Sequence, residues 1–223
     1  MNKKYQAAIF DLDGTLLDTI QDLGGAVNWG LSEYGFPTLP MEHHVNAVGQ
    51  GLRNYCAKSI PEDKVTDELL DVFVEKVKKH YRENCMVETK VYDGILELLS
   101  YLKEEGISVH VLSNKVDAIV KMLIQHYFKE NTFGLAYGER ENVPRKPDPT
   151  AALSLAEELG INPSEILFIG DSVYDVITGN RAGMCAIAAS WGYQSRERLA
   201  AENPAFLANT PYDIISYLKE EMK

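Results

Sequence analysis

The side chains best suited to chemistry in this 223-residue chain are two aspartates two positions apart, Asp11 and Asp13. They follow the apolar run of residues 7–10 and begin the sequence D-L-D-G-T. Side chains two positions apart on a strand point the same way, so both carboxylates can face one site. At about 4 Å they repel by about 4 kcal/mol at an effective dielectric of about 20, so both stay ionised only beside a cation. The pair predicts a site for a hard metal such as Mg²⁺, or one protonated aspartate; a solvated acidic turn is the alternative.

Polar side chains after three later apolar runs could complete such a site. Ser113 and Asn114 offer a hydroxyl and an amide suited to phosphate oxygens, although a surface turn would also explain them. Lys146, in a loop stiffened by prolines, could stabilise charge on a transferring phosphoryl group or simply precede a helix. Asp171 brings a carboxylate to the end of another run, with Asp175 four positions on, and a helix N-cap is the alternative for Asp171. Together, these strand ends predict one phosphate-handling site.

The elements that must position these residues alternate between strand and helix. Short, wholly apolar runs predict strands buried on both faces, at residues 7–10, 109–112, 166–169 and 185–188, with weaker candidates at 133–137 and 206–208. Helical spacing follows at 95–102, and a helix is predicted at 150–159, where a proline precedes it and Gly160 ends it. This alternation predicts an α/β fold, with a Rossmann-like parallel sheet covered by helices on both faces.

One interval is too long for this alternation. About 100 residues separate the first strand from the next convincing one, whereas a strand-helix-strand unit takes about 30. The extra residues are helical in pattern, with apolar side chains at positions 70, 73, 74, 77 and 81. We therefore expect residues 16–88 to form an inserted, all-helical cap domain, and residues 1–15 and 89–223 to form the α/β catalytic core.

The amino-acid composition argues against two classes of binding partner. The chain carries 33 acidic and 22 basic residues, a net charge of −11, which argues against nucleic-acid and membrane partners. Three widely spaced cysteines predict reduced thiols in the cytoplasm, and no signal peptide or membrane-spanning run is visible. We expect a cytoplasmic monomer or homodimer that acts on a small molecule.

The four groups of polar residues resemble the motifs of the haloacid dehalogenase-like hydrolase superfamily. D-x-D-G-T stands at residues 11–15, the Ser/Thr motif at Ser113, K-P at 146–147 and G-D-x-x-x-D at 170–175. The resemblance runs along the whole chain, and the predicted insertion looks like the helical cap of the first type in that superfamily.

This resemblance implies a role for each motif residue. Asp11 would be the nucleophile that forms an aspartyl-phosphate, and Asp13 the general acid that protonates the leaving group and then activates water. Ser113 and Lys146 would hold the phosphoryl oxygens. The implied cofactor is Mg²⁺, bound by the Asp11 carboxylate, the Asp13 carbonyl and Asp171, with Asp175 supporting them from behind. We also expect substrate contacts from Gly14, Thr15 and Asn114.

Finer features favour one group of this superfamily. Asp13 disfavours dehalogenation, and Thr15 resembles phosphatases more than sugar-phosphate mutases. Residues 18–19, 48–51, 114–115 and 145–149 look like the phosphoglycolate phosphatase group, which makes 2-phosphoglycolate the favoured substrate. An inorganic pyrophosphatase or phosphosugar mutase on the same scaffold is an alternative, and so is a catalytically silent regulator that binds phosphorylated metabolites.

One cation in the insertion is a candidate for substrate recognition. Arg53 follows the flexible sequence G-Q-G-L and could pair with a substrate carboxylate or a second phosphate. An exposed arginine on a helix surface is the alternative.

Overall fold

A computed structural model describes residues 4–221 of the chain. The strands in chain order are β1 (Ala7–Phe10), β2 (Leu17–Asp18), β3 (Lys90–Val91), β4 (Ser108–Val116), β5 (Ala136–Glu139), β6 (Ile166–Gly170), β7 (Cys185–Ala189) and β8 (Phe206–Ala208). The α-helices are α1 (Ile20–Glu33), α2 (Met41–Ala47), α3 (Leu52–Ser59), α4 (Asp67–Asn84), α5 (Ile95–Glu104), α6 (Asp117–Tyr127), α7 (Thr150–Leu159), α8 (Val173–Arg181), α9 (Arg196–Ala201) and α10 (Pro211–Glu221). Short 3₁₀ helices span Glu62–Lys64 and Pro163–Glu165.

Strand β1 lies at the centre of a six-stranded parallel sheet with the order β5-β4-β1-β6-β7-β8. Its four residues are fully buried, as expected for an apolar strand with neighbours on both edges. Phe10 is in register with Val111 of β4 and Ile169 of β6, so the three strands end close together. The later strands are added first on one side of β1 (β4 and β5) and then on the other (β6 to β8), and open α/β sheets bind their ligands at such a reversal of strand order.

Helices cover both faces of the sheet. On one face Ala8 and Phe10 pack in a cluster with residues of α5 and α10, including Ile95 and Leu218. On the other face Ala7 and Ile9 pack against α7. Because side chains alternate along a strand, the wholly apolar run of β1 supplies both clusters. The predicted parallel α/β fold with helices on both faces is confirmed.

Helices α1 to α4 lie between β2 and β3, and we call residues 20–84 the helical insertion. On α4 the buried positions are Leu70, Phe73, Val77 and Tyr81, which repeats the apolar spacing seen in the sequence. Thr66 begins this helix by accepting a hydrogen bond from the Leu69 N–H through its side chain. Helix α1 packs closely on α4, since a Cβ on Gly30 would lie 2.7 Å from Val77.

A short ladder and one carboxylate hold the two ends of the helical insertion together. Strands β2 and β3 pair antiparallel, with Leu17 opposite Val91. Asp22 on α1 accepts hydrogen bonds from the N–H groups of Val87, Glu88 and Thr89 and from the Thr89 hydroxyl, at 2.8–3.1 Å. The chain therefore enters and leaves the helical insertion at neighbouring positions of the core.

Two details differ from the sequence prediction. Strand β4 continues to Val116, beyond the predicted end at residue 112, with a change of register after Leu112. Ser113 and Asn114 are consequently buried strand residues and not a surface turn. Strand β5 begins at Ala136, later than the predicted run at 133–137.

Among residues 4–221, no helix has the length and apolar character needed to cross a membrane.

Candidate active site

Three carboxylates meet where β1 and β6 end. Asp11 follows β1, Asp171 follows β6, and Asp175 lies in the first turn of α8. One oxygen from each lies within 4.8 Å of the others. Asp171 and Asp175 are almost fully buried. The structure therefore brings Asp11 of the first motif together with both aspartates of the last motif.

The start of α8 leaves Asp171 free to face this site. Ser172, not Asp171, is the N-cap: its backbone N–H and hydroxyl both donate to Oδ2 of Asp175, and its hydroxyl oxygen accepts from the Asp175 N–H. The spacing of Ser172 and Asp175 is that of a capping box, so the sequence contained the signal that decides against an N-cap role for Asp171.

Gly14 and Thr15 contact Asp171. The Thr15 hydroxyl donates to Oδ1 of Asp171 at 3.0 Å, and the Tyr193 N–H donates to Oδ2 at 2.8 Å. Gly14 has a φ of +82°, and a Cβ there would lie 2.2 Å from the Asp171 carboxylate. A side chain at position 14 would therefore displace Asp171, which explains why glycine is required.

Lys146 is the cation among these carboxylates. Its Nζ lies 2.6 Å from Oδ1 of Asp175 and 2.9 Å from Oδ1 of Asp11, and its side chain is 3% exposed. Burial lowers the pKa of Lys146, but Asp11 and Asp175 outweigh burial and leave the pKa above its usual value. The ammonium therefore stays charged beside the predicted nucleophile.

The protein groups alone do not balance the charge of the site. Burial, opposed by Lys146, raises the pKa of Asp11 to about 6. Burial, followed by the charges of Asp175 and Asp11, raises the pKa of Asp171 well above its usual value. With all three carboxylates ionised, the one ammonium would leave two negative charges in excess, which one divalent cation would balance.

The donor set fits a hard divalent cation. All ligand atoms in the cluster are carboxylate oxygens, which Mg²⁺ and Ca²⁺ prefer. Oδ1 of Asp11 is buried and, despite its ion pair with Lys146, has no hydrogen bond of suitable angle among the described residues. An oxygen in that state can coordinate a metal without giving up a hydrogen bond.

Asp13 turns its carboxylate away from this cluster. Nζ of Lys115 lies 2.9 Å from each Asp13 oxygen, and the Thr19 hydroxyl donates to Oδ1 at 2.7 Å. Lys115 also donates to the Tyr81 hydroxyl of α4 at 2.8 Å. No site role was predicted for Lys115, Thr19 or Tyr81. The local signal for Lys115 is its place beside Ser113 and Asn114 near the end of the same strand, which does not identify its partners.

The remaining predicted residues lie in different places. Ser113 lines the cavity beside Asp11. The Asn114 amide is fully used: it donates to the carbonyls of Gly49 and Lys146 and accepts from the Lys146 N–H. Arg53 pairs with Asp67 and Asp71 and does not line the cavity. The structure therefore brings Ser113 to the site, makes Asn114 a link between the Lys146 loop and the helical insertion, and leaves Arg53 outside.

The helical insertion closes a cavity of about 60 Å³ over the carboxylates. Its wall is mostly apolar and comes from residues Leu23, Val45, Val48, Leu52, Tyr55 and Tyr81. The loop of residues 49–51 also touches the core, since Gly49 packs on the ring of Tyr174 and the Gln50 side chain donates to the Tyr174 hydroxyl. Asp11 and Asp13 line the same cavity from the core.

A parallel α/β core, an acidic cluster after the central strand and a buried lysine define a class of hydrolases with a carboxylate-based metal centre. The chain belongs to the haloacid dehalogenase-like hydrolase family, whose sequence profile matches residues 8–189.

Relatives with assigned names support this membership. The phosphoglycolate phosphatase of Aquifex aeolicus (strain VF5) is 33% identical over 210 residues, covering 94% of this chain and 95% of the relative. That of Haemophilus influenzae (strain ATCC 51907 / DSM 11121 / KW20 / Rd) is 28% identical and covers 98% and 100%.

Solved structures agree with the fold. A crystal structure from Lactobacillus delbrueckii subsp. bulgaricus has a TM-score of 0.88 at 30% identity, covering 96% of this chain and 98% of that one. One from Haemophilus somnus 129pt has a TM-score of 0.90 at 23% identity, covering 97% and 99%, a similarity of fold alone.

Proposed function

We propose that this protein is a Mg²⁺-dependent phosphatase that hydrolyses 2-phosphoglycolate through an aspartyl-phosphate on Asp11. The observation that carries the proposal is the position of Lys146, which joins Asp11 to Asp175 beside Asp171. The enzyme class that the sequence predicts, a phosphoric monoester hydrolase, is confirmed by the family and the named relatives. The substrate, the metal and the intermediate are the proposed parts.

In the first half of the reaction, a carboxylate oxygen of Asp11 attacks phosphorus and the bond from phosphorus to the ester oxygen breaks. Asp13 gives its proton to the departing alcohol. Lys146 and Ser113 hold the phosphoryl oxygens, and the ammonium offsets charge that develops on them. Asp11, the Asp13 carbonyl and Asp171 would hold Mg²⁺, which would supply further charge neutralisation there.

In the second half, Asp13 takes a proton from a water molecule, and the resulting oxygen attacks the phosphorus of the aspartyl-phosphate. The bond to Asp11 breaks, which releases inorganic phosphate and restores both aspartates. Two easier steps replace one hydrolysis that is extremely slow in water.

Supporting residues hold these groups in place. Asp175 orients Lys146, while Gly14 and Thr15 fix Asp171 next to the place where we expect them to contact substrate. Asn114 positions the Lys146 loop. Arg53 receives no substrate role in this proposal, because its guanidinium is already paired with two aspartates.

The proposal also covers the domain organisation, the cellular location and the partners of the protein. We assign residues 16–88 to a cap domain that excludes water from the cavity, and residues 1–15 and 89–223 to the catalytic core. The proposed setting is the cytoplasm, with a monomer or homodimer acting on a small phosphorylated metabolite and with neither nucleic acid nor membrane as partner.

Hydrolysis of p-nitrophenyl phosphate tests the chemistry. We expect turnover with Mg²⁺, none with a chelator, and a loss of at least about 10³-fold in Asp11→Asn. Asp63→Asn, at an exposed aspartate that does not line the cavity, is the matched control and should keep full activity. Turnover that survives Asp11→Asn would rule out the aspartyl-phosphate.

A panel of phosphorylated metabolites tests the substrate. We expect the highest kcat/KM with 2-phosphoglycolate. Preference for pyrophosphate, or isomerisation of a sugar phosphate without release of phosphate, would favour one of the two enzyme alternatives. Tight binding of metabolites without any turnover would indicate a silent regulator.

A further inference from the structure

We propose that Lys115, assisted by Tyr81, binds the carboxylate on the leaving part of the substrate and so selects phosphorylated hydroxy acids with a short spacer. This proposal rests on the phosphatase function proposed above and names a specificity residue of the same site. The observation that carries it is a buried ammonium beside Asp13, facing the cavity from the end of β4.

Two buried lysines divide the site into two ends. Lys146 pairs with Asp11 and Asp175, so it serves the phosphoryl end. Lys115 contacts both oxygens of Asp13, the residue proposed above to protonate the leaving oxygen. A substituent one carbon from that oxygen would therefore lie within reach of the Lys115 ammonium. In 2-phosphoglycolate that substituent is a carboxylate.

Among the described residues that line the cavity, Lys115 is the one lysine or arginine. The wall contributed by the helical insertion is apolar apart from tyrosine hydroxyls and backbone groups. Arg53, the cation first suggested for this role, is directed to Asp67 and Asp71 on α4. Within residues 4–221, Lys115 is therefore the cationic side chain in the cavity lining with which a substrate carboxylate could pair.

The contacts of Lys115 allow it to turn toward a ligand. An ammonium has three N–H donors, and here they reach the two Asp13 oxygens and the Tyr81 hydroxyl. If one donor moves to the substrate, the Thr19 hydroxyl still holds Asp13 through Oδ1. Tyr81 accepts from Lys115 and keeps its own hydroxyl proton, which it can donate to the same carboxylate.

Binding to a variant that cannot turn substrate over tests this proposal independently of the phosphatase assignment. In Asp11→Asn with Mg²⁺, calorimetry compares 2-phosphoglycolate with ethyl phosphate, in which a methyl group replaces the carboxylate. We expect 2-phosphoglycolate to bind about 10- to 100-fold more tightly, the range for a charge-assisted hydrogen bond. In Asp11→Asn/Lys115→Met that ratio should fall to near one.

Matched variants distinguish recognition of the substrate carboxylate by Lys115 from a merely structural role of this lysine. Lys121→Met in the same background removes an exposed lysine that pairs with Asp117 on its own helix, and it should preserve the ratio. In Asp11→Asn/Tyr81→Phe the preference for 2-phosphoglycolate over ethyl phosphate should be smaller but still present. An equal weakening of both ligands by Lys115→Met would show a merely structural role and overturn the proposal, as would tighter binding of pyrophosphate than of 2-phosphoglycolate.

A third arm uses the unmodified enzyme, so it does not depend on the folding of any variant. Glycolate should inhibit p-nitrophenyl phosphate hydrolysis competitively, at concentrations about tenfold or more below those of ethylene glycol. Equal inhibition by the two would overturn the carboxylate site while leaving the phosphatase assignment intact. Absence of p-nitrophenyl phosphate turnover would instead contradict the proposed function, and the calorimetric ratio would still decide the role of Lys115.

Discussion

Lys146 and Asp175 form a buried ion pair in which Nζ lies 2.6 Å from Oδ1, and it joins the loop before α7 to the first turn of α8. The other oxygen of Asp175 is held by the backbone and hydroxyl of Ser172. One carboxylate thus completes a helix cap and fixes the lysine that faces Asp11. The position of this lysine depends on the start of a helix from a different part of the chain.

Asp175→Asn should keep most of the cap and lose the charge that holds Lys146. We expect kcat and the apparent affinity for Mg²⁺ each to fall about 10- to 100-fold, as for other residues that support a metal site from behind. Activity measured over a series of Mg²⁺ concentrations separates the two effects, with Asp63→Asn as the control. Unchanged values of both would show that Lys146 needs no such partner.

Mg²⁺ should stabilise the fold itself. At a free concentration 100 times its dissociation constant, a bound ion adds about 2.7 kcal/mol, which raises Tm by about 5–10 °C in a chain of this size. Thermal unfolding with MgCl₂, against NaCl of equal ionic strength, measures the shift. In Asp171→Asn, which lacks one carboxylate of the cluster, the shift should largely disappear, and an equal shift would place the ion elsewhere.

Acid should destabilise the protein through His110, a buried residue of β4. Its Nδ1 accepts from the Leu135 N–H, so Nε2 carries the proton and donates to the Ser108 hydroxyl. Burial, opposed weakly by Glu158, lowers the pKa of His110 to about 4. The unfolded chain therefore binds more protons than the folded one between about pH 4 and 6.5, and stability falls as the pH falls through that window.

This contribution amounts to about 2 kcal/mol between pH 7.5 and pH 5. Urea unfolding of His110→Gln should give a correspondingly shallower pH dependence than the unmodified protein. His126→Gln, at an exposed histidine, should reproduce the unmodified profile. A His110→Gln profile parallel to that of the unmodified protein would contradict the assignment.

Asp22→Asn should weaken the junction of the helical insertion. An asparagine has one acceptor oxygen where the carboxylate has two, and its NH₂ group would face the N–H donors of residues 87–89. We expect a loss of about 1–3 kcal/mol in the free energy of unfolding. Urea unfolding measures it, with Asp67→Asn at an exposed aspartate as the control. A loss below about 0.5 kcal/mol in Asp22→Asn would contradict this account.

The features that the sequence predicted well depend on local patterns. The apolar run of β1 and the spacing on α4 state directly which side chains are buried. Aspartates placed immediately after a strand must lie at its end, so the gathering of Asp11 and Asp171 follows once the strands are parallel and adjacent. For each of these residues, the strand that immediately precedes it in the sequence also determines where it lies in the fold.

The features that the sequence did not predict depend on contacts between distant segments. Arg53 was considered for substrate binding because nothing local shows that Asp67 and Asp71 lie opposite it on α4. Lys115 received no role because its partners, Asp13 and Tyr81, come from the first loop and from the helical insertion. Ion pairs between different helices and strands depend on the tertiary structure, so the local spacing of residues in the sequence does not reveal them.

The two-residue ladder of β2 and β3 allows the sheet to keep its structure when the length of the inserted segment changes. Leu17 and Val91 are paired neighbours, so the 73 positions between them leave from and return to nearly the same point. Helices of another number or length could be grafted there without moving a strand of the sheet. The Gly14 N–H donates to the Leu17 carbonyl, so such a graft would join the chain next to the loop that carries Asp13. The apolar wall of the cavity can therefore be exchanged with the helical insertion, whereas Asp11, Lys146 and Lys115 stay with the core.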